Sequence, residues 1–79
     1  PYYKISQLYI AQGKINDGIK KLKKAVQVRP DSIQTRFSIA LLYQLKKQYV
    51  KAAQEYENIL RINKEFAVAA NNLAYIYAE

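Results

Sequence analysis

The sequence has no cysteine and no histidine in its 79 residues, and only two glycines and two prolines. Without cysteine there is no disulfide framework, no thiolate nucleophile and no sulfur-based metal site. Without histidine the commonest general base and the commonest zinc ligand are missing too. Apolar runs such as Ile39 to Tyr43 fall far short of the roughly 20 residues that cross a bilayer, so no membrane span is expected. Acidic residues are few: Asp17, Asp31, Glu55, Glu57, Glu65 and Glu79. Asp31 reads as a helix cap, and Glu55 and Glu57, two apart on a helix, diverge by about 200°. No nucleophile–base pair stands out, so neither an enzyme nor a cofactor or metal is expected.

What remains is a short, helix-leaning globular composition with a net charge of +7. A chain this short buries only roughly 60% of its unfolded surface, so its stability is marginal unless something extends the core. Residues 1–31 carry seven Lys/Arg against two Asp, residues 32–64 six against two Glu, and residues 65–79 only two Glu. The first two-thirds of the chain is therefore basic. Opening on Pro1 and stopping at Glu79 inside a helical pattern, the sequence reads as a piece of a longer protein.

Self-similarity decides the fold. Tyr9, Tyr43 and Tyr77 are spaced by 34 residues, and whole columns follow the same shift. Ile5 aligns with Ile39 and Leu73, Ser6 with Ala40 and Ala74, Leu8 with Leu42 and Ile76. Later in the unit Gly18 aligns with Ala52, Leu22 with Tyr56, Val26 with Leu60 and Val28 with Ile62. Apolar spacing within each period is helical and splits in two. The first helix of unit one carries Ile5, Leu8, Tyr9 and Gln12 and ends at Gly13, a residue suited to a left-handed turn. Ile15 to Val28 forms the second helix, and Pro30 stops it. Asp31, three residues before Gln34, is expected to cap a helix running to about Leu45. The Leu45–Gln48 turn has no glycine, so a non-glycine residue is expected in the left-handed region there. Tyr49 to Ile62 follows, and Asn63 is expected to cap a fifth helix from about Glu65 to Ala78. Small residues (Ser6, Ala40, Ala74, Gly18, Ala52) mark close helix approaches, and Tyr9, Tyr43, Leu22 and Tyr56 fill the space opposite.

These columns resemble the tetratricopeptide repeat, whose 34-residue pattern runs bulky, Leu, Gly/Ala, Tyr, Ala, Phe/Tyr, Ala, Pro. Unit one supplies Tyr2, Ile5, Ser6, Tyr9, Gly18, Leu22, Ala25 and Pro30. Unit two supplies Arg36, Ile39, Ala40, Tyr43, Ala52, Tyr56, Ile59 and Lys64, departing at Arg36, Ile59 and Lys64. Ala70, Leu73, Ala74 and Tyr77 begin a third. The resemblance implies an all-α, right-handed solenoid of antiparallel helix pairs with about five helices. Repeat one would cover 1–32, repeat two 33–66, and the unpaired first helix of repeat three 67–79.

The resemblance further implies a protein–protein interaction scaffold whose first helices line a concave groove for a partner peptide or helix. Tyr3, Gln7 and Ile10 would face it from unit one. Gln34, Phe37, Ser38, Leu41 and Leu45 follow from unit two, and Val68, Asn71, Asn72 and Tyr75 from the last helix. Amides there can bond a peptide backbone, and aromatics supply anchoring area. A subgroup of the family grips chaperone C-terminal carboxylates with two Lys, two Asn and an Arg, at positions that here read Tyr3, Gln7, Ser38, Val68 and Asn72. None is Lys or Arg, so that ligand is not expected. Two other readings stand beside the groove. The last helix, carrying Leu73, Ile76 and Tyr77 without a pairing helix, suits self-association. The basic face of Lys14, Lys20, Lys21 and Lys24 suits an acidic partner or nucleic acid, although a solvated outer face accounts for it first because no aromatic is interleaved.

Overall fold

The computed structural model describes residues 14–78, in which every regular element is an α-helix. The helix expected over Ile5 to Gln12 lies outside them. In chain order the elements are α1 (Ile15–Val28), α2 (Ile33–Leu45), α3 (Tyr49–Ile62) and α4 (Ala67–Ala78). Each packs on the next, α1 on α2, α2 on α3 and α3 on α4, the nearest-neighbour arrangement of a helical repeat.

The 34-residue period is written into the backbone hydrogen bonds as well as the side chains. Helix α1 ends with Arg29 N–H on the Ala25 carbonyl at 3.0 Å, and α3 ends with Asn63 N–H on Ile59 at 2.8 Å. The turn after α1 closes by Ser32 N–H on the Arg29 carbonyl at 3.2 Å; the turn after α3 closes by Phe66 N–H on Asn63 at 3.1 Å. Pro30 occupies the position of the first turn that a fixed φ favours. Lys64 occupies the same position in the second, so the departure from the repeat pattern leaves the turn intact. Arg29 and Asn63 both leave the helical region, at φ −132° and −144°; for Arg29 the following proline disfavours the helical conformation.

Two expected caps fall elsewhere. The α2 cap is Ser32, not Asp31: its hydroxyl accepts Thr35 N–H at 3.3 Å and donates to Thr35 Oγ1 at 2.9 Å, while Asp31 stands exposed. The turn bond from Ser32 N–H to Arg29 sets Ser32 as the last non-helical residue, and a cap must sit there to reach the third residue on. Asn63 accepts Glu65 N–H at 3.0 Å, holding a turn that delays α4 to Ala67. The turn after α2 behaves as its lack of glycine requires. Lys47 takes φ 61°, with Lys47 N–H on Gln44 and Gln48 N–H on Tyr43, both at 2.9 Å. That pair of bonds is the Schellman ending usually given to glycine.

The core gathers one face of each helix: Ile19 and Leu22 of α1, Ile39, Ala40, Leu42 and Tyr43 of α2, Ala52, Ala53, Tyr56 and Ile59 of α3, Ala69 and Ile76 of α4. The small-residue columns act as expected at Gly18, Ala40 and Ala52, all buried. The column of Val28 and Ile62 does not: both are exposed, because two residues beyond Val26 and Leu60 the helix has turned to its outer side. Arg36, which replaces a bulky residue of the pattern, ties three segments instead. Its Nε donates to the Pro30 carbonyl at 2.7 Å and its Nη1 to Glu55 at 3.0 Å. Ile59, a second departure, is fully buried and simply fills more volume.

At the centre lies Tyr56, with no exposed surface. Its hydroxyl donates to Gln44 Oε1 and accepts from Asn72 Nδ2 at 3.1 Å, so one phenol joins α2, α3 and α4. Burial raises its pKa, and the Asn72 hydrogen bond offsets part of the rise.

Three outcomes follow for stability. Lys64→Pro should stabilise the chain by roughly 0.4–1 kcal/mol through a less free unfolded state, read as a higher urea midpoint at unchanged slope. Tyr56→Phe should cost about 1–3 kcal/mol, because Gln44 and Asn72 lose their buried partner. The raised Tyr56 pKa stabilises the fold below the ordinary value of about 10 and ceases to do so as pH rises through the folded value. Denaturation midpoints above about pH 10 should therefore fall more steeply for the parent than for Tyr56→Phe.

Candidate functional site

The groove residues expected from the sequence divide into a floor and a surface. Tyr3, Gln7 and Ile10 lie outside the described residues. Phe37 is half-buried, its ring meeting Tyr56 edge-on at 5.9 Å and Phe66 at 6.2 Å. It therefore closes the junction of α2, α3 and the following turn rather than standing open as an anchor. Ser38 is buried, and its hydroxyl donates to the Gln34 carbonyl one turn back at 3.1 Å, which removes it from any ligand-facing surface. Asn72 is half-buried and spends its amide on Tyr56. Phe37 and Asn72, on helices of two successive units, thus meet around one tyrosine.

Gln34 and Leu45 on α2, and Val68, Asn71 and Tyr75 on α4, remain exposed, with Leu41 half-buried between. Val68, Asn71 and Tyr75 fall at i, i+3 and i+7, one stripe along α4. Val68 keeps 49% and Tyr75 62% of its surface in solvent, large fractions for apolar side chains. About a third of a turn round the same helix, Ala69 and Ile76 are buried against the core.

Lys14, Lys20, Lys21 and Lys24 are all exposed on α1 or at its start. The structure joins Lys46 and Lys51 to this basic region, beside Lys23 of the lysine run itself. Lys23 Nζ lies 5.6 Å from the Tyr43 ring centre, and Lys51 Nζ, from α3, lies 5.8 Å from it. Lys46 donates to Asn16 Oδ1. Lys20, Lys23, Lys46 and Lys51 line one cleft of about 300 Å³ with Tyr43 at its base. Lys23 and Lys51 are 28 positions apart in sequence; only the stacking of α1 and α3 on either side of α2 brings them to one ring. Lys23 is visible in the lysine run of α1, but no spacing in the sequence brings Lys51 to it.

The carboxylates are dispersed. Glu55 pairs with Arg36, and Glu57 accepts the Tyr77 hydroxyl, a hydrogen bond that raises the tyrosine pKa ahead of burial and charge. Among the described residues no three acidic side chains gather as a metal site, and no helix is long and apolar enough to cross a membrane.

Comparison with known proteins places this architecture. The family model described as Tetratricopeptide repeat matches residues 1–32. Over 69 residues, 87% of its length, the chain is 30% identical to Tetratricopeptide repeat protein 37 of Xenopus laevis. Over the same extent it is 25% identical to Superkiller complex protein 3 of Mus musculus and of Homo sapiens. The chain spans 4% of the length of each of these relatives. Helix pairs repeating at 34 residues, the family match and these relatives agree: the chain belongs to the tetratricopeptide repeat family, whose modules are in general non-catalytic scaffolds for protein–protein interaction.

Proposed function

We propose that the chain holds a peptide or helix of a partner protein in a groove lined by α2 and α4, the first helices of successive units. The stripe of Val68, Asn71 and Tyr75 carries this reading: apolar area left in water beside a free amide is the surface an extended or helical segment needs. Gln34, Leu41 and Leu45 of α2 continue the surface, and the family resemblance extends it to Tyr3 and Gln7. Phe37, Ser38 and Asn72 form its floor, holding the two helices at a fixed separation.

The floor governs the choice of test. A charge at Phe37 would disturb the Tyr56 junction and confuse binding with folding, whereas Val68 and Tyr75 are exposed. Peptides selected by display against the chain supply a ligand for fluorescence anisotropy. Val68→Glu with Tyr75→Glu should weaken such a peptide by about tenfold or more, some 1.4 kcal/mol, with an unchanged melting temperature. Equal affinity in the folded double variant rejects the groove.

A second reading is favoured by a separate observation. Tyr43 and Ala40 are 5% and 0% exposed, while their equivalents one unit later differ: Tyr77 is 65% exposed and Ala74 also stands in solvent. Beside Tyr77, an open cleft of about 470 Å³ is lined chiefly by Tyr49, Val50, Ala53 and Ile76. Self-association through this face would cover it. Sedimentation at increasing concentration should then show a growing dimer that Val50→Glu removes, and a monomer at every concentration rejects it.

A further inference from the structure

The lysine cleft lies between α1 and the start of α3, away from the groove residues. We propose that it binds a phosphate monoester, as carried by a phosphoserine or phosphothreonine side chain of a partner peptide. The first support is its uncompensated charge. Lys20, Lys23, Lys46 and Lys51 line it with Tyr43 and Gln48, and none of the described carboxylates does. Residues 1–13 contain no Asp or Glu to supply one. The closest in sequence, Asp17, lines the adjoining cleft with Lys14 and Lys46.

The second support is an internal control that the repeat provides. A shift of 34 residues turns Ile19, Lys20, Lys23 and Tyr43 into Ala53, Gln54, Glu57 and Tyr77, and these four line the corresponding cleft one unit later. The two lysines whose equivalents fall within the sequence, Lys20 and Lys23, are thus replaced there by an amide and a carboxylate. Packing does not call for lysine at positions 20 and 23, and gathering ammonium groups around one ring costs repulsion that an anion relieves.

The side-chain chemistry narrows the anion. No arginine lines the cleft, so the planar fork that binds carboxylate or phosphate bidentately is missing and recognition falls to ammonium groups. Lysines are point charges with three freely turning donors, suited to the oxygens of a phosphate that carries about −1.5 to −2 at neutral pH. The Tyr43 ring is 5% exposed and already faced by Lys23 and Lys51, which leaves no platform for a nucleobase. A single pocket of about 300 Å³ accepts one such group, not a continuous backbone track.

The test titrates a capped Gly-phosphoserine-Gly tripeptide into the ¹⁵N-labelled chain at low salt. Saturable shifts are expected at the amides of Ile19, Lys20, Lys23, Tyr43 and Gln48, with none from the serine tripeptide. Two variants remove equal charge. Lys20→Gln with Lys23→Gln, of which Gln at position 20 copies Gln54 one unit on, should weaken binding about tenfold or more at unchanged helix content. Lys21→Gln with Lys24→Gln, on exposed residues outside the cleft, should stay within about twofold. Equal weakening by both pairs, equal shifts from the serine peptide or no shifts at all would overturn the assignment. So would a short oligonucleotide that binds more tightly than the phosphopeptide and depends on Lys21 and Lys24. The groove variants do not touch this cleft, so either assignment can fail alone.

Discussion

A buried tyrosine hydroxyl has to find partners, and in this chain the partners of Tyr56 lie on different helices. Gln44 answers from α2 and Asn72 from α4, while the Phe37 ring closes against the phenol from the side. Hydrophobic contact alone would let α4 slide along α3 with little penalty. A phenol that must meet two amides fixes the register of both neighbours, since a shift of one turn would leave several buried polar groups unsatisfied. The exposed stripe on α4 is thereby held in place by a residue that never reaches solvent.

Much of this fold was legible in one dimension. The 34-residue columns foretold helix pairs, and the bounds of α1, α2 and α3 follow from apolar spacing, Pro30 and the turns. Lys47 took the left-handed conformation that the absence of glycine required. What escaped was local hydrogen-bond choice. Asp31 and Ser32 are both good caps by type, and only the closing bond of the preceding turn decides between them. Arg36 looked like a fault in the pattern, because nothing in the sequence shows that Pro30 and Glu55 come within its reach.

The surface was legible in part. Exposed stripe residues such as Val68 and Tyr75 follow from helical periodicity, whereas Ser38 and Asn72 do not. Both are polar and fall on the expected groove face, yet their hydrogen-bonding capacity is used inside the protein. The lysines show the reverse failure. Taken as a run along α1 they form a diffuse solvated face; only across helices do Lys23 and Lys51 converge on Tyr43. Spacing along one helix reports which residues share a side, and says nothing of what a neighbouring helix brings to it.

Because each helix packs on the next in sequence, the helices behave as links in series. Bending or stretching such an array divides among its junctions in inverse proportion to their stiffness, as force does along a row of springs. The α2–α3 junction, fastened by the Arg36–Glu55 pair and the Gln44–Tyr56 bond, is a stiff link. At α3–α4 the fastenings are the Asn72–Tyr56 and Tyr77–Glu57 hydrogen bonds, the second of them at the solvent-exposed Tyr77. Of these two junctions, α3–α4 would take up more of any strain imposed on the array, and it is the link that carries the proposed groove.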